Sequence, residues 1–163
     1  MAQLETDAGW ETVLPASGEM PTRKRIGLLK RRLAEVEARR AMFMQQGDEL
    51  VAEFRAKYPD SPAYLVRYAD RTLNDYRWRL SGSAKWRHIG VAGNKVAVDL
   101  TSDKGQVVLA SLPLATQHDW LRFEARRQVL NFKSAMTKYE VMRLRSLIER
   151  QEELRQLVRQ GGA

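Results

Sequence analysis

Residues 63–69, AYLVRYA, and residues 75–80, DYRWRL, decide the fold, because in both segments the character of the side chains changes with a period of two. Successive side chains of a strand point to opposite faces, so this period predicts two β-strands. Residues 70–74, DRTLN, lie between them and are typical of a turn. We therefore expect an antiparallel hairpin at the centre of the chain.

The alternation also predicts which side chains share a face of the hairpin. On the first strand one face carries Tyr64, Val66 and Tyr68, and the other carries Leu65, Arg67 and Ala69. On the second strand one face carries Tyr76, Trp78 and Leu80, and the other carries Arg77 and Arg79. We expect the hairpin to have one aromatic face and one arginine face.

Three further segments after the hairpin are candidate strands: residues 85–89, 95–100 and 106–110. Glycine-containing turns separate them, at residues 82–83, 93–94 and 102–105. Together with the hairpin they predict a small antiparallel β-meander over residues 63–111.

The segments on either side of the meander have a helical period instead. Apolar residues recur every three or four positions over residues 22–58 and again over residues 116–160, which predicts two long helices. Helices of this length should pack against each other, so the fold class is α+β, a long antiparallel helical hairpin flanking the meander. We expect residues 22–163 to form one domain, preceded by a flexible acidic tail over residues 1–21.

The charge of the chain is unevenly distributed. Its 163 residues include 28 Lys and Arg against 20 Asp and Glu, a formal net charge of +8. Residues 1–21 contain four acidic residues and no basic one, so the remaining residues carry a net charge of +12. Such a basic body favours a polyanionic partner.

Composition also excludes several classes of function. The absence of cysteine rules out disulfides, thiolate metal sites and cysteine nucleophiles, and only two histidines are present. No glycine-rich phosphate loop or other catalytic motif is found, so we expect a protein that is not an enzyme and uses no cofactor or metal. Without a signal peptide or an apolar run of about 18–20 residues, we expect a cytoplasmic protein with no membrane partner.

Basic and aromatic side chains are concentrated in residues 63–88, which have a charge balance of +4 and five of the thirteen aromatic residues. The arginines could contact phosphate while an exposed aromatic ring stacks on an unpaired base. Alternatively, the aromatic residues form the core and the arginines are only solvated. The candidate nucleic-acid-binding residues are Arg67, Arg77, Arg79, Lys85, Trp86, Arg87, Arg126 and Arg127.

Two stretches resemble small accessory proteins of integrative and conjugative elements, among them mobilisation factors that help to process the transfer origin. The first is Tyr64–Asp70 with Asp75–Leu80, running on to Trp86 and Arg87. The second is the helix Trp120–Asn131, continuing to Arg143–Leu147. The resemblance implies a bacterial mobile-element setting and a non-enzymatic, DNA-associated role.

Three hypotheses follow. The first is a non-catalytic nucleic-acid-binding accessory factor of a mobile element, with DNA favoured over RNA, that binds phosphates through the basic and aromatic hairpin. The second is a helical scaffold or oligomerising adaptor, in which a homodimer or an acidic protein partner packs on the long helices, with Leu144 and Ile148 in the contact. The third is a phage- or plasmid-encoded inhibitor of a nucleic-acid-handling complex.

Overall fold

The computed structural model describes residues 20–68, 75–91 and 96–162. The predicted turn at 70–74 and nearly all of the acidic segment lie outside the described residues. The elements follow in the order α1 (Thr22–Lys57), β1 (Ala63–Arg67), β2 (Tyr76–Leu80), a 3₁₀ helix (Ala84–Ile89), β3 (Ala97–Val98), α2 (Asp103–Ala110) and α3 (Leu114–Gly161). The predicted α+β class and both long helices are confirmed.

Where the sequence predicts one domain over residues 22–163, the chain divides into two compact units. The described residues up to 39 and from 137 onward form one unit, called the terminal unit, and the described residues between 40 and 136 form the other, called the sheet unit. Helices α1 and α3 contribute to both. Within the described ranges, no helix is long and apolar enough to cross a membrane.

The described part of the terminal unit is an antiparallel helix pair. Its core consists of Leu29, Val36, Val141, Leu144 and Ile148. Ion pairs flank this core, joining Lys30 to Glu152, Arg32 to Glu140 and Arg145 to Glu37. Leu144 and Ile148 are therefore core residues of the chain itself, and the dimer contact predicted for them is wrong.

The sheet unit contains a three-stranded antiparallel sheet in the order β1-β2-β3. One face of the sheet packs on α1 and α3 through a cluster of aromatic rings. Trp78 of β2 stacks on Trp120 of α3 with 5.0 Å between ring centroids, and Phe54 of α1 meets both rings edge-on. This cluster is the centre of the core, so the aromatic residues of β2 are structural.

The register of the hairpin corrects the predicted faces. Leu65 pairs with Trp78, while Tyr64 pairs with Arg79 and Val66 pairs with Arg77. Tyr64 of β1 therefore shares a face with the arginines of β2 rather than with Tyr76 and Trp78. The alternation within each strand is confirmed. Which face of β1 lies beside which face of β2 depends on the register, and the composition of the strands does not determine the register.

Two of the predicted strands are helices. Residues 85–89 lie in the 3₁₀ helix, which Ser83 caps by accepting a hydrogen bond from the Lys85 amide. Residues 106–110 lie in α2, where the Ser102 hydroxyl accepts from the Gly105 amide. A short apolar run is compatible with a strand or with a helix. Here each run follows a serine that caps the first turn of a helix. Of the predicted strand at 95–100, Ala97 and Val98 form β3.

Helix α3 begins two residues before its predicted start. The sequence places the first residue at Thr116, whereas the helix begins at Leu114, directly after Pro113. A proline cannot contribute an amide hydrogen, so it suits the edge of a helix.

Gly47 lies where α1 passes the ring of Tyr76. The residue is buried, and a β-carbon there would overlap the ring. The ring has little room to move, because the Tyr76 hydroxyl donates to the Met44 carbonyl oxygen at 2.6 Å. Gly47 therefore permits this close approach of helix and sheet.

We expect Gly47→Ala to lower the free energy of unfolding by about 1–2 kcal/mol, because overpacking outweighs the helix propensity that alanine adds. Gly27→Ala is the matched control, since nothing lies within 4 Å of its β-carbon position. That substitution should raise the free energy of unfolding by up to about 1 kcal/mol. Chemical denaturation measures both changes, and equal signs would contradict the packing role of Gly47.

Candidate nucleic-acid interface

The face of the hairpin that points away from the helices carries both tyrosines and arginines. This outer face consists of Tyr64 and Val66 on β1, Arg77 and Arg79 on β2, and Tyr68 just beyond β1. All five side chains are half-buried. The Tyr68 amide donates to the Asp75 carbonyl oxygen at 2.6 Å, which continues the β1–β2 ladder by one residue.

Arginine and tyrosine are in contact on this outer face. The Arg77 guanidinium carbon lies 5.6 Å from the ring centroid of Tyr68, within the range of a cation–π contact. The paired positions of Tyr64 and Arg79 bring a second ring and a second cation together. The outer face therefore offers flat rings for stacking beside planar groups that bind phosphate.

The 3₁₀ helix holds three further candidates, and two of them are anchored to Asp60. Lys85 forms an ion pair with Asp60, and the Trp86 indole nitrogen donates to the Asp60 carboxylate at 3.2 Å. The hydrogen bond from Lys85 holds the pKa of Asp60 below its usual value. Arg87 is exposed on the same short helix. Trp86 also lines a cleft with Pro62 and Leu80, at one end of the hairpin.

Arg67 does not join the outer face. Its partner in the register is Tyr76, whose side chain is buried on the helix side of the sheet. The Arg67 guanidinium forms an ion pair with Asp48 of α1 at 2.8 Å. The predicted grouping of Arg67 with Arg77 and Arg79 is therefore wrong, for the same reason of register.

Arg126 and Arg127 of α3 also lie elsewhere in the sheet unit. Arg126 makes a two-pronged contact with Glu53 of α1, with nitrogen–oxygen distances of 2.9 and 2.7 Å. Arg127 is largely buried and binds both carboxylate oxygens of Glu124 at 2.7 Å. Both arginines lie on α3, on the helix side of the sheet, so neither belongs to the outer face.

A buried polar row on α3 went unnoticed in the sequence. It consists of Glu124, Arg127, Asn131 and Ser134, and it contacts the start of β2. Glu124 accepts from the Trp78 indole nitrogen at 2.6 Å, and Ser134 donates to Asp75 at 2.6 Å. The steps of three and four residues place the row on one side of the helix, which is the signal that could have identified it.

Asn131 takes the place of a missing strand partner. β3 pairs with Trp78 and Arg79, and the part of β2 before them has no β3 residue opposite it. The Asn131 side chain accepts from the Tyr76 amide at 3.0 Å and donates to the Tyr76 carbonyl oxygen at 2.8 Å. A carboxamide has one acceptor and one donor side by side, so it reproduces the pairing of a peptide group.

A pocket of about 460 Å³ lies beside the first turns of α3, lined by Lys57, Tyr58, His118, Asp119 and Arg122 among others. The Tyr58 hydroxyl donates to Asp119 at 2.5 Å, and Lys57 binds the same carboxylate oxygen at 2.6 Å. Burial raises the pKa of Tyr58 to about 12, and the hydrogen bond to Asp119 adds to the shift. Tyr58 therefore stays protonated at neutral pH and acts as a donor that fixes Asp119.

Among the residues described, no group of histidine and acidic side chains could hold a metal ion. Comparisons of the chain with protein-family models, with curated proteins and with solved structures gave no match. Function must therefore be inferred from the chemistry of the site itself.

Proposed function

We propose that the sheet unit binds single-stranded nucleic acid on the outer face of the hairpin, as a non-catalytic accessory factor. The observation that supports this proposal is the register, which places Tyr64 opposite Arg79 and the Arg77 guanidinium over Tyr68. A sheet face that combines rings with phosphate-binding groups suits a flexible strand of unpaired nucleotides.

In the proposed complex, bases stack on the rings of Tyr64 and Tyr68 while Arg77 and Arg79 contact the phosphates. Stacking of this kind contributes about 1–3 kcal/mol per base and tolerates any sequence. Bases in a duplex are stacked on each other and do not present their faces, so single strands should bind better than duplexes. The +12 charge of residues 22–163 adds a nonspecific attraction through counterion release.

The 3₁₀ helix provides a second contact in this proposal. Trp86 and Lys85 are fixed by Asp60, and Arg87 is exposed beside them. A strand that leaves the hairpin near Leu80 would meet these side chains next. Arg67, Arg126 and Arg127 are left out of the proposed contact, because none of them lies on the outer face of the hairpin or on the 3₁₀ helix. The bacterial mobile-element setting, with DNA as the ligand, belongs to the proposal through the resemblance of the hairpin and α3.

A salt titration tests the proposal. We expect the full chain to bind labelled oligo(dT), with a logarithmic affinity that falls linearly with the logarithm of the salt concentration. Arg77→Ala/Arg79→Ala should weaken binding at least tenfold and reduce the slope by about 1.4, since each single-strand phosphate contact contributes about 0.7. Arg77→Lys/Arg79→Lys should retain the slope but lose affinity with the planar guanidinium groups.

The control removes the same amount of charge elsewhere. Arg122→Ala/Arg126→Ala takes two arginines from α3, both exposed and both on the helix side of the sheet. Its salt slope should match that of the original chain. Equal losses in the two double variants would show that net charge alone drives binding, and a chain that binds no oligo(dT) at low salt would refute the proposal.

A further inference from the structure

Helix α3 carries an exposed apolar stripe within the sheet unit. The stripe consists of Leu121, Ala125, Val129, Phe132 and Met136. The exposed fractions are 47% for Leu121, 51% for Val129, 66% for Phe132 and 52% for Met136, and Ala125 is also exposed. A contiguous exposed apolar patch of this size on a folded protein marks an interaction site more often than a chance arrangement.

The stripe and the core lie on different sides of the helix. At about 100° per residue, the five stripe residues fall within an arc of about 80°. The buried residues of the same helical segment, including Trp120, Phe123 and Asn131, point in roughly the opposite direction. Packing of the sheet unit therefore does not account for the stripe.

We propose that a second copy of this chain covers the stripe, with the two α3 helices antiparallel and a two-fold axis between Gln128 and Val129. Steps of four, four, three and four residues are those of a helix-to-helix seam. An interface between identical copies must be self-complementary about its axis. About this axis Leu121 meets Met136 of the second copy, and Ala125 meets Phe132 of the second copy. The smallest side chain of the stripe, that of Ala125, therefore leaves space for the largest, that of Phe132.

The area of the stripe agrees with a dimer of standard size. Its exposed side chains supply roughly 90 Å² each, or about 900 Å² for two copies together. An interface of about 1,600 Å² that is about 60% apolar needs a similar apolar area. Gln128 is exposed and faces Val129 of the second copy next to the axis, while the exposed Arg122 lies beside the stripe and can contribute to the rim.

The first test is the oligomeric state of the full chain. Sedimentation should show a monomer–dimer equilibrium in the micromolar range, and Phe132→Asp should raise the dissociation constant at least tenfold. Leu157→Asp is the matched control, because Leu157 is an exposed apolar residue of α3 outside the stripe, at 62%. Circular dichroism checks that both variants are folded. A chain that is monomeric at every concentration, or equal effects of the two variants, would overturn the proposal.

The second test fixes the orientation and uses the absence of cysteine from the chain. Leu121→Cys and Met136→Cys are made as separate chains and oxidised alone or mixed. The antiparallel pairing predicts a disulfide in the mixture and almost none in either chain alone. A parallel dimer would crosslink each variant to itself, and that result would reject the proposed axis.

This inference is independent of the proposed function. The outer face and the stripe lie on opposite sides of the sheet unit, separated by the sheet and by α3 itself. Arg77→Ala/Arg79→Ala should therefore leave the sedimentation of the free chain unchanged, and Phe132→Asp should leave the salt slope of a single binding site unchanged. Either proposal can fail while the other stands.

Discussion

Replacing Glu124 by glutamine is expected to lower the free energy of unfolding by about 3–5 kcal/mol, because it leaves a buried charge without its partner. Glu124 is 4% exposed, and the Arg127 side chain bound to it is 13% exposed. The neutral side chain can still accept a hydrogen bond from Trp78. It cannot neutralise the positive charge of the Arg127 guanidinium, so the loss of stability is electrostatic rather than steric. Chemical denaturation measures the change.

The control for this prediction is an exposed ion pair that joins α1 to α3. Glu53 and Arg126 are each 51% exposed and make the same two-pronged contact. Exposed ion pairs contribute about 0–1 kcal/mol, so Glu53→Gln should change the stability of the chain little. If both substitutions had the same effect, burial would not be the reason that Glu124 matters.

The pH dependence gives a second measure of Glu124. Burial acts to raise the pKa of this carboxyl, but the hydrogen bonds from Arg127 and Trp78 outweigh it, and the pKa lies below its ordinary value. A pKa that is lower in the folded chain than in the unfolded one stabilises the fold above the unfolded pKa. That contribution is lost as the pH falls through the folded pKa. The stability difference between the original chain and Glu124→Gln should therefore shrink in acid.

Asn131→Leu should lower the free energy of unfolding by about 2–3 kcal/mol, mainly because the Tyr76 amide loses its hydrogen-bond acceptor inside the protein. Leucine has the same branched skeleton of heavy atoms as asparagine but a larger volume, so overpacking adds to the loss. The Tyr76 carbonyl oxygen keeps a donor, since Arg127 also binds it at 3.0 Å. Hydrogen exchange at the Tyr76 amide should accelerate more than at the amides of β1, which identifies the site of the loss.

Gln156→Leu is the matched control for Asn131→Leu. It replaces a side-chain amide on the same helix, at an exposed position. Its effect on the free energy of unfolding should be within about 0.5 kcal/mol. An equal cost at the two positions would mean that the exchange of amide for leucine, and not the contact with β2, is responsible.

Local periodicity was enough to predict the two long helices and the hairpin. The helices lack a proline in their interiors, and the hairpin has a clear period of two. Residues 106–110 were misassigned because a short apolar run next to a glycine is compatible with either a strand or a helix. The predicted face of Arg67 is wrong because the register pairs this residue with Tyr76, on the helix side of the sheet. The same register pairs Leu65 with Trp78 and so places Leu65 in the core.

The two arginines of α3 show why composition alone does not reveal the role of a basic residue. Arg126 and Arg127 are neighbours in the sequence, and both form ion pairs in the folded chain. Glu124 is three residues from Arg127 and could have been noticed, but Glu53 is 73 residues from Arg126 and gives no local signal. The structural role of Arg126 therefore becomes visible only in the folded chain.

The pairing of Asn131 with Tyr76 also bears on how the chain behaves at high concentration. An uncovered strand edge is a template on which another chain can add a strand, and it is a common starting point for aggregation. The first part of β2 would be such an edge beyond the reach of β3, and side chains of α3, Asn131 and Arg127, bind its polar groups instead. The Tyr76 amide is the only group of this edge whose partner depends on Asn131 alone among the described contacts, so we expect Asn131→Leu to make the chain aggregate faster on storage at high concentration.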